Sequence, residues 1–285
     1  MKKYFEFIRF SHTVFALPWA LAAMMLAARD QHGWPGWRVF SLILGCMVTA
    51  RTAAMGFNRI ADRDIDALNP RTKMRHLPAG QISLASAWVL VCLSAAGFVV
   101  CAAFINKLTL LLSPVALVVV LGYSLTKRFT SFSHFVLGLA LGLSPVGAWI
   151  AVTGQFDPTI CLLGAAVLLW VAGFDIIYAT QDYEFDRQQG LRSMVVQLGI
   201  DRSLWVARAM HAAMVVALLV FGLISGLRMP YWIGLVIIFT SLLVEHWNAR
   251  KRDLQWINKA FFQANAVISF VLLAAIAAEV WLGQP

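Results

Sequence analysis

The sequence predicts an all-α fold, a polytopic membrane bundle of nine transmembrane helices with its N-terminus in the cytoplasm. Three observations predict it. Hydrophobic residues make up 60% of the 285-residue chain and charged residues only 13%, a balance foreign to soluble domains. Apolar runs at 13–28, 38–57, 84–104, 108–124, 135–153, 160–178, 206–225, 231–245 and 262–282 each approach the roughly 20 residues that cross a hydrocarbon layer about 30 Å thick. Finally, 19 of the 23 Lys and Arg residues fall in segments 2–9, 51–75, 127–128, 187–208 and 250–259, which alternate spans place on one side, and the positive-inside rule makes that side cytoplasmic. The same rule accounts for a net charge of +9 and a pI near 9.8 without a nucleic-acid partner.

Taken in order, the chain opens with Lys2, Lys3 and Arg9 among Phe5, Phe7 and Phe10, an amphipathic lead-in at the inner surface where Arg9 and His12 meet headgroups. The first apolar run carries no cleavage pattern and is expected to stay as a helix. Trp34 and Trp37 around Pro35 mark an outer interface. The second run ends in charge, at Arg51 to Gly80. There Asn58, Asp62 and Asp66 recur every four residues, and four residues of helix advance about 400°, so their oxygens share one face while Asp64 points away. Asn69-Pro70 must end that helix. Arg51 lies two turns deeper, where a guanidinium needs a polar cavity.

Only Asn106 and Lys107 break the next apolar stretch. Spans three and four return the chain to Tyr123 and Lys127-Arg128, again four apart at the inner surface. The fifth span, GLALGLSPVGAWIAVTG, is rich in small residues that favour close helix packing, with Pro145 as an expected kink. The sixth ends in Asp175, Asp182 and Asp186, which share a face, with Glu184 off it. The inner segment around Arg250 reads as positive-inside charge. Cys46, Cys92, Cys101 and Cys161 lie inside apolar runs without metal-type spacing and read as buried small hydrophobes.

Asp182 and Asp186 follow Asp62 and Asp66 by 120 residues, and seven of the 14 acidic residues fall in these two places. Four intervening spans put both clusters on the cytoplasmic side, as in a parallel internal repeat. The expected organisation is a single domain over 1–285, with pseudo-repeat halves of about 1–130 and 131–250 and a last helix. Two facing carboxylate clusters repel unless a cation lies between them. Oxygen ligands of this kind suit Mg²⁺, which completes its shell with water and phosphate oxygens. Nearby Lys and Arg can take the rest of a diphosphate, and the apolar spans suit a long lipid tail, so the substrate read from the residues is an isoprenyl diphosphate.

The set Asn58-x-x-x-Asp62-x-x-x-Asp66, NPRT, LPAG, Tyr123-x-x-x-Lys127-Arg128, and Asp175 with Asp182-x-x-x-Asp186 resembles the UbiA-type intramembrane aromatic prenyltransferases over nearly the whole chain. The resemblance implies helices ringed around a central cavity and Mg²⁺-dependent transfer of a polyprenyl chain to an aromatic acid, most typically 4-hydroxybenzoate in ubiquinone synthesis. It implies metal–diphosphate roles for Asn58, Asp62, Asp66, Asp182 and Asp186, with Asp175 associated. It also implies diphosphate contacts for Arg71, Tyr123 and Lys127, with Arg128 assisting or replacing Lys127, and an acceptor contact for Arg51. Futalosine-pathway or naphthoate acids, haem and glycerol phosphate are alternative acceptors. A transporter is the other class, but its acids would sit near the bilayer midplane. The expected location is a bacterial-type inner (cytoplasmic) membrane, with the site facing the cytoplasm.

Overall fold

A computed structural model describes residues 2–8, 15–250 and 254–282, and all regular structure among them is helical. The long helices are α1 (Leu17–Ala27), α2 (Trp37–Ala61), α3 (Leu84–Ile105), α4 (Lys107–Thr126), α5 (Ser133–Thr153), α6 (Pro158–Ala179), α7 (Ile200–Ile224), α8 (Met229–Ala249) and α9 (Leu254–Leu282). Eight of them, α2 to α9, are long and apolar enough to cross a membrane. Helix α1 has 11 residues, which at 1.5 Å per residue do not span a bilayer. Arg9 and His12 lie outside the described residues.

Bilayer contact shows in what the helices leave outside. Val118, Leu111 and Leu93 are each about 70% exposed, apolar surface that only lipid would cover. The interior is built on α6, which contacts α5 and α7, and on α1, which contacts α5 and α9. Trp19 of α1 and Trp170 of α6 meet at their centre, with ring centroids 5.3 Å apart. Because lipid is as apolar as leucine, packing and buried hydrogen bonds hold such a core rather than water exclusion. Trp170 Nε1 donates to Asn265 Oδ1 at 2.8 Å and Trp19 Nε1 to Ser269 Oγ at 3.3 Å.

Small residues do set the α5–α6 contact. A Cβ at Gly138 would stand 2.4 Å from the Leu168 carbonyl oxygen, and one at Gly142 would stand 2.6 Å from that of Gly164, so only glycine allows this approach. The α3–α4 break is Asn106, whose side-chain oxygen accepts from Thr109 N at 2.8 Å to cap α4 while its amide donates to the Ile150 carbonyl at 2.9 Å. The cysteine expectation needs correcting. All four are free, but Cys92 is exposed and the other three are half-buried, because the apolar face that carries them turns partly toward lipid.

Candidate active site

One cavity of about 400 Å³ opens at the end of the bundle where α2, α4 and α6 finish and α5 begins. Its floor is the first acidic motif. Asp62 leaves helical backbone angles, yet its N–H still bonds the Asn58 carbonyl at 2.9 Å, and the Asp66 N–H bonds the Asp62 carbonyl at 2.7 Å. The helical path therefore continues through the break and keeps Asn58, Asp62 and Asp66 on the lining. Asp64 stands in the open, 86% exposed, against Arg63.

The chain then turns at Asn69, whose side-chain oxygen accepts from Arg71 N at 2.9 Å. That turn sends Arg71 across to the second motif. Its Nε donates to Asp182 Oδ1 at 2.9 Å, its Nη2 to Asp182 Oδ2, and its Nη1 to the Tyr178 hydroxyl at 3.1 Å. Burial pulls the Arg71 guanidinium down, but the hydrogen bond to Asp182 and the adjacent Tyr178 outweigh it and raise it above its ordinary value, so it stays charged.

The other acids are paired as well. Lys127 Nζ donates to Asp62 Oδ2 at 2.7 Å, and Asn58 Nδ2 reaches the same oxygen at 3.2 Å. Arg75 Nη1 lies 2.6 and 2.7 Å from the two Asp66 oxygens. His134, at the start of α5, holds Asp175 Oδ2 at 2.7 Å through Nδ1. A carboxylate accepts, so Nδ1 carries a proton, and Nε2 is buried and without a partner in the protein.

The lining contains Asp62, Asp66, Asp175, Asp182 and Asp186 against Arg51, Arg59, Arg71, Arg75 and Lys127, five charges of each sign. Among the described residues no three His, Cys, Asp or Glu side chains converge as a metal cluster, since cations hold the acids apart. The donor set nevertheless fits Mg²⁺. It is all oxygen with one amide, and Asp62 Oδ1 is buried with no hydrogen-bond partner, a place for a hard cation once an anionic ligand occupies the basic groups.

Below lies an apolar chamber of about 190 Å³, lined by residues such as Ile43, Met47, Phe98 and Val120. Arg51, Met55, Tyr123, Leu137 and Leu141 line both spaces and form the boundary between them. Of the residues expected at the site, Arg128 alone is absent from the lining. One position beyond Lys127, it turns about 100° away and gives Nη2 to the Ala61 carbonyl at the end of α2. Several lining residues escaped the motif reading. His134 is a lone histidine 41 residues from Asp175, and Arg59, Arg75 and Tyr178 carry no motif spacing.

Fold and site define a class: a polytopic membrane protein with a charged pocket at one end and an apolar chamber beneath. The chain belongs to the UbiA prenyltransferase family, which it matches over residues 16–275. It is thus a prenyltransferase. It is 30% identical over 282 residues to the 4-hydroxybenzoate octaprenyltransferase of Marinomonas sp. (strain MWYL1), covering 97% of this chain and 98% of that one. Among solved structures it resembles the apo UbiA homolog of Aeropyrum pernix K1, with a TM-score of 0.84, 34% identity, and 93% and 96% of the two chains covered. The Archaeoglobus fulgidus UbiA homolog bound to GPP and Mg²⁺ shares the fold, with a TM-score of 0.75 and 23% identity over 96% of this chain and 99% of that one.

Proposed function

We propose that the protein transfers a polyprenyl chain from polyprenyl diphosphate to 4-hydroxybenzoate in quinone biosynthesis, with Mg²⁺ held by Asn58, Asp62, Asp66, Asp182 and Asp186. The observation that carries this reading is the meeting of two acidic motifs and five cations in one cavity above an apolar chamber. Bound Mg²⁺ supplies charge that stabilises the departing diphosphate. Arg71, Arg75 and Lys127 exchange their carboxylates for phosphate oxygens, and the chamber takes the first isoprene units and keeps water from the allylic carbon.

The carbon–oxygen bond breaks with its electron pair on the diphosphate. The ring carbon beside the acceptor hydroxyl supplies the pair for the new carbon–carbon bond. That carbon then loses its proton, for which the lone pair of His134 Nε2 is the candidate base. Arg51, at the boundary of the two spaces, suits the acceptor carboxylate, because a fork of donors matches it bidentately. Support for 4-hydroxybenzoate itself comes from the name of the Marinomonas relative.

The chain acts as one domain in a bacterial-type inner membrane. Its N-terminus and active site are cytoplasmic, and α1 joins the eight apolar spans as the ninth helix of the bundle. The basic-residue count supports that orientation. Purified protein with Mg²⁺, a polyprenyl diphosphate and a panel of 4-hydroxybenzoate, naphthoate, futalosine-pathway acids and glycerol phosphate, read by mass spectrometry, tests the proposal. Prenylated 4-hydroxybenzoate is the expected product, and a product only on another acceptor overturns the assignment.

A further inference from the structure

On the far side of α6, helices α7 and α8 do not close on each other. Two adjoining cavities of about 300 and 280 Å³ lie along them, and Arg208 and Arg250 line both. Both arginines sit at the end of the bundle that carries the acidic motifs, Arg208 in the first third of α7 and Arg250 just past the end of α8. Neither has a carboxylate at ion-pair distance among the described residues. Asp201 is the only acid among the described residues of either lining. The nearby Glu245 is 4% exposed, bonded to Asn265, and not part of the lining.

The larger cavity has a polar end and an apolar end. His246 joins the arginines at the polar end. His211 Nε2 lies 3.1 Å from the Trp170 carbonyl, which can only accept, so it is protonated and His211 Nδ1 accepts from His246 Nε2 at 3.0 Å. This leaves His246 Nδ1 as a buried nitrogen without a partner. From there the groove runs along Ala212, Val215, Phe239 and Leu243, deeper into the membrane by about two turns of α7. Trp205 and Trp247, 66% and 64% exposed, mark the interface level on either side, and the Arg208 guanidinium lies 4.4 Å from the Trp205 ring centre.

We propose that this groove is a binding site for an anionic phospholipid, with its phosphate between Arg208 and Arg250, a headgroup hydroxyl at His246 Nδ1, and one acyl chain along Val215, Phe239 and Leu243. Charge complementarity selects the lipid. Two guanidiniums facing one acid at interface depth attract an anion, and the apolar groove below them can take the upper part of an acyl chain. A soluble anion would use the arginines and leave the groove empty.

Native mass spectrometry of delipidated protein in detergent, titrated with phosphatidylglycerol or phosphatidylcholine, tests this on the wild-type chain. Phosphatidylglycerol is expected to bind about tenfold more tightly or better, as two basic contacts would give. Equal retention of the two lipids overturns the proposal. Arg208→Gln/Arg250→Gln should bring phosphatidylglycerol down to the phosphatidylcholine level. Ala212→Phe, which changes no charge but fills the groove from an exposed position, should also weaken it severalfold. Loss with the double variant but none with Ala212→Phe would mean that an anion binds without its chain, and the lipid assignment falls. Neither variant touches the diphosphate cavity, so prenyl transfer that persists in both separates a failed lipid site from a failed fold.

Discussion

The two acidic motifs read alike in the sequence but sit in unlike surroundings. Asp62 and Asp66 are each 4% exposed and are paired with Lys127 and Arg75, cations from their own half of the chain. In the second motif Asp182 is held by Arg71, which arrives from the loop of the first half, Asp175 is occupied by His134, and Asp186 has no ion pair among the described residues. The first motif is closed within its own half, whereas Asp182 of the second is closed by the reach of the 69–82 loop. A diphosphate entering the cavity thus displaces an accessible pair at Arg71 and a more buried one at Lys127. Exchanging partners costs more where desolvation is deeper.

Removal of either motif breaks that comparison most severely. Asp62→Ala and Asp182→Ala should each lower prenyl transfer by roughly 10³-fold, and EDTA should do the same to the wild type. Thermal unfolding in detergent should separate them. The carboxylate side chain is 6% exposed at Asp62 against 18% at Asp182, so Asp62→Ala should lower Tm more than Asp182→Ala does. Equal losses of Tm would erase the asymmetry, and full activity in EDTA would remove the metal from the mechanism.

Next in size is His134. If its Nε2 takes the ring proton, His134→Gln should lower kcat about 10²-fold while leaving both KM values close to wild type. An acceptor deuterated at the reacting ring carbon should then show a larger isotope effect in the variant than in the wild type, because proton loss has become slow. A rise in the diphosphate KM instead would return Asp175 and His134 to a role in holding the second motif.

Legibility in the sequence followed the range of the interaction. The eight apolar runs after the first lie on helices of the structure, because lipid solvation imposes a local, length-based signal. The motif faces were legible for the same reason, since a four-residue spacing fixes direction through one turn of helix. Contacts that depend on a loop returning across the fold were not. Arg71 and Asp182 are 111 residues apart, so the NPRT motif marked Arg71 but not the carboxylate it meets. His134 had no spacing partner, and Arg128 was credited with the neighbourhood of Lys127 although adjacent residues at a helix end face different ways.

Arg51 and Lys127 carry a smaller effect that separates the two ends of the cavity. Arg51→Lys keeps the charge and loses the fork, so the KM for 4-hydroxybenzoate should rise about tenfold with little change for the prenyl diphosphate. Lys127→Ala should act mainly on the diphosphate. Equal effects of Arg51→Lys on both substrates would place Arg51 in the diphosphate site.

The smallest effect belongs to the acids that each motif turns away. Asp64 is paired only with the surface residue Arg63, and Glu184 is exposed on the outer side of the helix Tyr183–Gln188. Both lie within two residues of proposed ligands, so a mechanism that needed only local negative charge would feel their loss as strongly as that of Asp62 or Asp186. A mechanism that needs oxygens aimed into the cavity would not. Asp64→Asn and Glu184→Gln should therefore keep prenyl transfer within about twofold of wild type, the range of a surface change worth less than about 0.5 kcal/mol. If Glu184→Gln costs tenfold or more while Asp64→Asn does not, the second motif binds through a wider set of acids than the first, and the asymmetry between the two motifs extends from their ion pairs to their ligands.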